Sequence, residues 1–439
     1  MFKKLLYPFI VALVLISSCA QKKTHINIEP IVLHDTMQQL TDIIVHDIFS
    51  PPVASRVYAY PSIAAYEIMV QTDSTYISLA NQLNEFKGVP KPDKEIVYEL
   101  AAIQAFINVG KDLIFSEEKF EEYQSNFIHQ INEKGLDETI LNNSLEYAKV
   151  VSAAILEWSQ KDNYKETRTF QKFDVTDQID RWQPTPPGYF EAIEPHWNKI
   201  RLFVIDSSNQ FMPARPTKFD IDEKSKFYEE MMEVYNVGNK LDKEQSEIAS
   251  FWDCNPFVIN VQGHAMFATK KITPGGHWIG IAKIACEKDN ADFMKSVATY
   301  TLTSIALADA FISCWDEKYR SEYIRPETVI NRYIDPNWLP LLQTPPFPEY
   351  TSGHSVISGA AGVALTSIYG EPFPFDDDSE VIYGLPVRKF NSFTAASDEA
   401  AISRLYGGIH FMPSITNGVR QGRQLGGYLV NKIKLKKKN

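Results

Sequence analysis

The chain has 439 residues, 44% of them hydrophobic and 23% charged, which is the profile of a globular protein with a full core. A formal net charge of −11 excludes a general nucleic-acid binder, because phosphate-backbone binding needs a basic face. The dense basic run Lys432 to Lys438 reads as a solvated helix end, and 12% aromatic residues put much of the packing on large rings.

At the N-terminus, Lys3 and Lys4 precede a short apolar stretch, Leu5 to Ile16, and then Ser17, Ser18 and Cys19. A run this short with one basic flank suits a secretory signal rather than a membrane span. Ile-Ser-Ser-Cys resembles a bacterial lipobox, which implies cleavage after residue 18 and lipidation of Cys19. The mature protein is then expected to be exported and lipid-anchored to the bacterial cell envelope. Residues 19–30 would be a flexible tether and residues 31–439 one helical domain. No second apolar run is long enough to span a membrane. Cys254, Cys286 and Cys314 form neither a disulfide framework nor a CxxC pair and read as buried small apolar residues.

Helical periodicity begins at Ile31 to Phe49, where Ile31, Leu40, Ile43, Ile44 and Ile48 share one side. It recurs over 55–71, 93–115, 117–134, 138–161, 222–236 and 242–251, then over 278–287, 290–317, 353–369, 395–407 and 415–435. Ile382 to Phe390 is the one candidate short strand. These elements predict an all-α fold of two packed helical bundles, with no repeat short enough for a solenoid. The helical signal fails between Lys161 and Asp220, a Pro-rich stretch holding Trp182, Tyr189, Phe190 and Trp197. A loop that long and that aromatic is expected to be ordered and to wall a functional site. A second irregular stretch, 334–352, leads into a Ser-Gly-His motif.

Three motifs carry chemistry. In Lys318-Tyr-Arg-Ser-Glu-Tyr-Ile-Arg325-Pro326, two cations seven residues apart fall on one helix face, and without an obvious carboxylate partner they suit an anion. In Phe347-Pro-Glu-Tyr-Thr-Ser352-Gly353-His354-Ser355, Ser352 and Gly353 enter a helix whose exposed N–H groups and dipole favour an anion. His354 is the acid–base candidate there. In Ser403-Arg404-Leu-Tyr-Gly-Gly-Ile-His410-Phe411, a third cation and a second imidazole flank a Gly-Gly turn. His277, in Gly-Gly-His277-Trp278, reads first as a helix-start contact, and His264 has no motif support.

Taken together, Lys-x6-Arg-Pro, Ser-Gly-His and Ser-Arg-x5-His resemble the signature shared by vanadium-dependent haloperoxidases and type-2 phosphatidic acid phosphatases. The resemblance is concentrated in 315–411. Softer echoes of bacterial haloperoxidases lie in Ser50-Pro-Pro-Val-Ala-Ser-Arg-Val-Tyr-Ala-Tyr and Thr273-Pro-Gly-Gly-His-Trp278. It implies the helical-bundle fold of that family and a site within 315–414 for vanadate, where phosphate can also sit. Lys318, Arg325, Arg404, Ser352 and Gly353 would hold the oxyanion. His410 would be the axial vanadium ligand, and His354 the acid–base group opposite. Trp315 and Phe347 match aromatic positions on the halide side. The implied reaction is oxidation of halide, iodide or bromide, by hydrogen peroxide to hypohalous acid. The alternative is an acid phosphatase working through a phosphohistidine at His410. Many relatives carry an Asp four residues after the axial histidine. Ser414 stands there, so Ser414, a backbone carbonyl or another residue must orient His410.

Overall fold

The computed structural model describes residues 23–262, 265–268 and 270–437, with backbone only for 259–262 and 265–268. The signal peptide, Cys19 and His264 lie outside the described residues. The periodic segments become helices: α1 (Pro30–His46), α2 (Pro51–Met69), α3 (Tyr98–Leu113), α4 (Glu117–Glu133), α5 (Glu138–Ser159) and the short α6 (Tyr164–Thr167). After the irregular stretch come α7 (Lys226–Gly238), α8 (Lys243–Phe251), α9 (Pro274–Lys288) and α10 (Phe293–Ser321). The C-terminal part holds α11 (Pro326–Tyr333), α12 (Gly353–Tyr369), α13 (Phe393–Tyr406) and α14 (Met412–Lys432).

Helix starts follow local chemistry. Proline occupies the first turn of α1, α2, α9, α11 and α14, where its missing N–H costs nothing. Side-chain caps from Asp242, Thr273, Asp292 and Ser352 start α8, α9, α10 and α12. Two small hairpins accompany the helices. β1 (Ile259–Gln262) pairs with β2 (Ala265–Ala268), and β3 (Phe375–Asp377) pairs with β4 (Arg388–Phe390), both antiparallel. The expected strand over 382–390 is therefore confined to its last three residues.

Helices α2 to α5 pack on one another, and α12 packs on α13 and α14. Helix α10 packs against both α2 and α12, which joins the two groups through one shared helix. That position explains a departure from the sequence reading. Phe293–Ser321 is long and apolar enough to cross a membrane, yet its most apolar window is wholly buried in the protein. A helix covered on every side needs no polar face, so apolarity here marks a core helix.

Two parts of the chain are better anchored than expected. Residues 23–30, expected to be part of a flexible tether, are held against the fold. Lys23 exchanges backbone hydrogen bonds with Gly135 and Asp137, and Ile26 and Ile28 are buried. Within 161–220, the buried Asp309 carboxylate accepts from the backbone N–H of Phe203, Val204 and Ile205 at 2.7, 2.8 and 3.1 Å. Ile193 O accepts from Trp315 Nε1 at 3.1 Å and from the Tyr319 hydroxyl. The irregular stretch is thus pinned along α10.

Helices α12 and α14 begin at the second and third motifs and cross at glycine. A Cβ on Gly422 would come within 2.1 Å of Val356 O, closer than any real contact. Gly422→Ala must force the helices apart, and a loss of about 1–3 kcal/mol by chemical denaturation is expected.

Candidate active site

Lys318 and Arg325 do not share a helix face. Helix α10 ends at Ser321, Glu322 turns into the left-handed region at φ 49°, and Arg325 caps α11 in an extended conformation. Pro326 is the cause, because it disfavours helical backbone at the residue before it. Both cations still converge, since the 347–349 backbone lies between them. Lys318 Nζ donates to Pro348 O at 2.8 Å and Glu349 O at 2.9 Å, while Arg325 Nε donates to Phe347 O at 3.0 Å.

Ser352 is the N-cap of α12. Its Oγ accepts from Ser355 N at 3.3 Å and Ser355 Oγ at 2.8 Å, which leaves its own proton to donate. Ser352 N donates to Ser414 O at 3.2 Å, tying the start of α12 to the first turn of α14. A Cβ on Gly353 would meet only the Trp315 ring at 3.8 Å, so the glycine leaves open space beside the helix terminus. His354 faces the same cavity, and its buried Nε2 has no partner among the described residues.

Arg404, at the end of α13, donates from Nε to Ser403 Oγ at 2.9 Å and from Nη2 to Trp252 O at 2.7 Å. Gly408, at φ 75°, then swings the chain so that His410 precedes α14.

The question left by Ser414 is answered by Glu349. His410 Nδ1 lies 2.8 Å from Glu349 Oε1, which also accepts from Phe411 N at 3.0 Å. Ser414 Oγ is farther from Nδ1, at 3.4 Å, and lies against the same carboxylate. On the other edge, Arg325 Nη1 is 3.2 Å from His410 Nε2. A guanidinium only donates, so Nε2 carries the lone pair and Nδ1 the proton. Arg325 Nη2 has no partner among the described residues, although it is buried. An orphaned guanidinium N–H, a histidine lone pair and an open glycine converge where an oxyanion with one axial nitrogen ligand would sit, so these residues fit such a group.

The charges agree. Burial, with Arg325 next to it, holds His410 well below the usual imidazole range. Burial, then Arg404, does the same for His354. Burial lowers Arg325 and Arg404 to about 10 and Lys318 to about 7, and it raises Glu349 to about 7. Rising pH thus removes the Lys318 proton and ionises Glu349, and both changes make the cradle less positive. Oxyanion affinity is expected to fall above pH 7, by up to about tenfold per pH unit for each proton taken up on binding. Calorimetric titration from about pH 6 to about pH 9 checks this, and a flat profile would contradict it.

The cavity is lined by Gly353, His354, Arg404 and His410, with Trp315, Phe311 and Phe347 on its apolar side. Phe347 lies 5.0 Å from Lys318 Nζ, 5.1 Å from Arg325 Cζ and 5.0 Å from the Trp315 ring. Of the predicted site residues, Trp315, Phe347, Gly353, His354, Arg404 and His410 line this cavity, Lys318 and Arg325 lie against the Phe347 ring, and Ser352 caps the helix that Gly353 opens, while Cys19 lies outside the described residues. Residues 161–220 brace Trp315 from behind, whereas the cavity wall comes from Asp253, Cys254, Asn255 and Pro256 and from Gln343 and Pro345. Sequence reasoning missed Glu349 and the 252–256 wall. Glu349 stood inside a quoted motif, but nothing local shows that it reaches a histidine 61 positions away.

The family described as VCPO second helical-bundle domain matches residues 298–437. Vanadium chloroperoxidase from Curvularia inaequalis is 27% identical over 176 residues, and the match spans 28% of that protein's length. The crystal structure of a bacterial vanadium-dependent chloroperoxidase in its holo form shares the fold at a TM-score of 0.66 and 15% identity. That match covers 88% of this chain and 93% of the other. The crystal structure described as the first bacterial vanadium-dependent iodoperoxidase superposes at a TM-score of 0.90 with 54% identity. It covers 94% of this chain and 99% of that one. Identity at that level over nearly the whole of both chains means that this chain belongs to the vanadium-dependent haloperoxidase family and is an enzyme of that type.

Proposed function

We propose that the protein uses vanadate to oxidise halide, iodide foremost, with hydrogen peroxide, releasing hypohalous acid. The single observation that carries this reading is His410, neutral and locked by Glu349 with its Nε2 lone pair facing the cationic cradle. The chemistry that vanadate supplies there, when bound, is activation of peroxide toward the halide.

Each residue has a defined task. His410 Nε2 would hold the vanadium, and Arg325 Nη1 and the orphaned Nη2 would donate to oxyanion oxygens. Arg404, the Ser352 hydroxyl and the Gly353 N–H complete the set of fixed donors, which stabilise charge without reorganisation. Lys318 spends two of its three N–H groups on carbonyls and keeps the third for the oxyanion or the peroxide. His354, neutral with a free Nε2, accepts and returns the peroxide protons. Trp315 and Phe347 form the apolar flank at which a weakly hydrated anion would approach.

Iodide is favoured because it is the most readily oxidised of the candidate halides, and because the relative at 54% identity is described as an iodoperoxidase. Export and lipid anchoring through Cys19 belong to the same proposal and rest on Lys3, Lys4, the apolar run and Ile-Ser-Ser-Cys19. The test incubates vanadate-free protein with orthovanadate, peroxide and iodide or bromide, beside a phosphate monoester without vanadate. Vanadate-dependent iodide oxidation is expected. Phosphate release in its place would identify an acid phosphatase and overturn the proposal.

A further inference from the structure

A second cluster of reactive side chains lies beside the cradle, unused by the chemistry above. Cys254 follows α8, His277 sits in the first turn of α9, and Glu380 follows β3; all three are buried. His277 Nδ1 is 3.1 Å from Glu380 Oε1 and 3.5 Å from Cys254 Sγ, and Cys254 Sγ is 3.8 Å from Glu380 Oε1. A tetrahedral zinc ion, with N and O ligands near 2.0 Å and S near 2.3 Å, places its ligand atoms about 3.3–3.6 Å apart. The observed edges of 3.1, 3.5 and 3.8 Å lie within about 0.2 Å of that range. The other ring nitrogen, Nε2, is 2.9 Å from Asp377 Oδ2, the carboxylate–histidine arrangement that orients a metal-binding imidazole. Trp252 stacks on the ring at 4.4 Å and 18°, fixing its plane.

We propose that Cys254, His277 and Glu380 bind one divalent transition-metal ion of the zinc class, with Asp377 orienting His277. Thiolate and imidazole together select zinc or its neighbours over magnesium or calcium. The site has a structural consequence. It would tie the 252–254 segment, whose Trp252 carbonyl holds Arg404, to α9 and to the loop after β3. The proposal is independent of which reaction the cradle performs.

Binding would form metal–sulfur, metal–nitrogen and metal–oxygen bonds, with the Cys254 thiol proton leaving to solvent as the metal–sulfur bond forms and Nε2–H staying on Asp377.

The test strips the full-length protein with a chelator and titrates it with cobalt(II), using zinc(II) as competitor. We expect one equivalent of cobalt, intense four-coordinate visible bands, and a near-ultraviolet thiolate-to-cobalt band that zinc bleaches. Cys254→Ser should lose the thiolate band, whereas Cys286→Ser and Cys314→Ser should keep it. Asp377→Asn should weaken binding about 10–100-fold. No saturable uptake or a spectrum unchanged in Cys254→Ser would each overturn the site. Wild-type stoichiometry and the zinc-bleached thiolate band stand even where a variant fails to fold.

Discussion

Replacing His410 with alanine is expected to abolish vanadate-dependent halide oxidation, a fall of about three orders of magnitude or more. No other imidazole among the described residues is locked by Glu349 with its lone pair toward Arg325. The guanidiniums of Arg325 and Arg404 only donate, and Lys318 Nζ is engaged with the Pro348 and Glu349 carbonyls. The cavity would keep its cations, so His410→Ala should still attract an oxyanion through charge while losing the axial bond. Steady-state iodide oxidation at saturating vanadate, paired with vanadate binding by equilibrium dialysis, separates these effects. Turnover within tenfold of wild type would disprove the axial assignment. Thermal unfolding should change little, because Phe411 N still satisfies Glu349 Oε1 when the ring is gone.

The second large effect concerns Glu349, which acts through His410 and is therefore a positioning residue. In Glu349→Ala the Nδ1 proton loses its 2.8 Å acceptor, and only the 3.4 Å contact to Ser414 Oγ remains. The ring is then free to rotate or to move its proton to Nε2, which would block ligation. Loss of such an outer partner typically costs 10–100-fold in affinity or activity, and vanadate affinity should fall by about that much. Glu349→Gln keeps an acceptor oxygen but not the charge, so it should lose less. It should also remove the Glu349 contribution to the pH profile, leaving the Lys318 step at about 7. Ser414→Ala should change vanadate affinity by no more than about threefold. If Ser414→Ala proves more damaging than Glu349→Ala, Ser414 is the orienting group.

Much of the molecule was legible before folding. Helices such as α4 and α7 declare themselves because one face is apolar and the other wet. The side-chain caps at α8, α10 and α12 are local signals too. Helix α11 was not read, because it is short and follows a proline that seemed only to disturb its predecessor. The apolar character of α10 was equally ambiguous, since a membrane span and a core helix share it.

The cradle shows the same division. Its cations, its Ser-Gly-His helix start and its two histidines are present as three motifs, because each motif is a local chain geometry that delivers one or two groups to a point. Sequence alone therefore determined which residues are the candidates to hold an oxyanion and which family they resemble. Only the tertiary structure decided which nitrogen of His410 is free, because that depends on Glu349 and Arg325 reaching it from 61 and 85 residues away. Only it placed the 252–256 wall against Arg404, and brought Cys254, His277 and Glu380 within 4 Å of one another. Those relations are set by helix packing around α10 and by the close crossing of α12 and α14, and pairing across such distances leaves no periodicity in the chain to read.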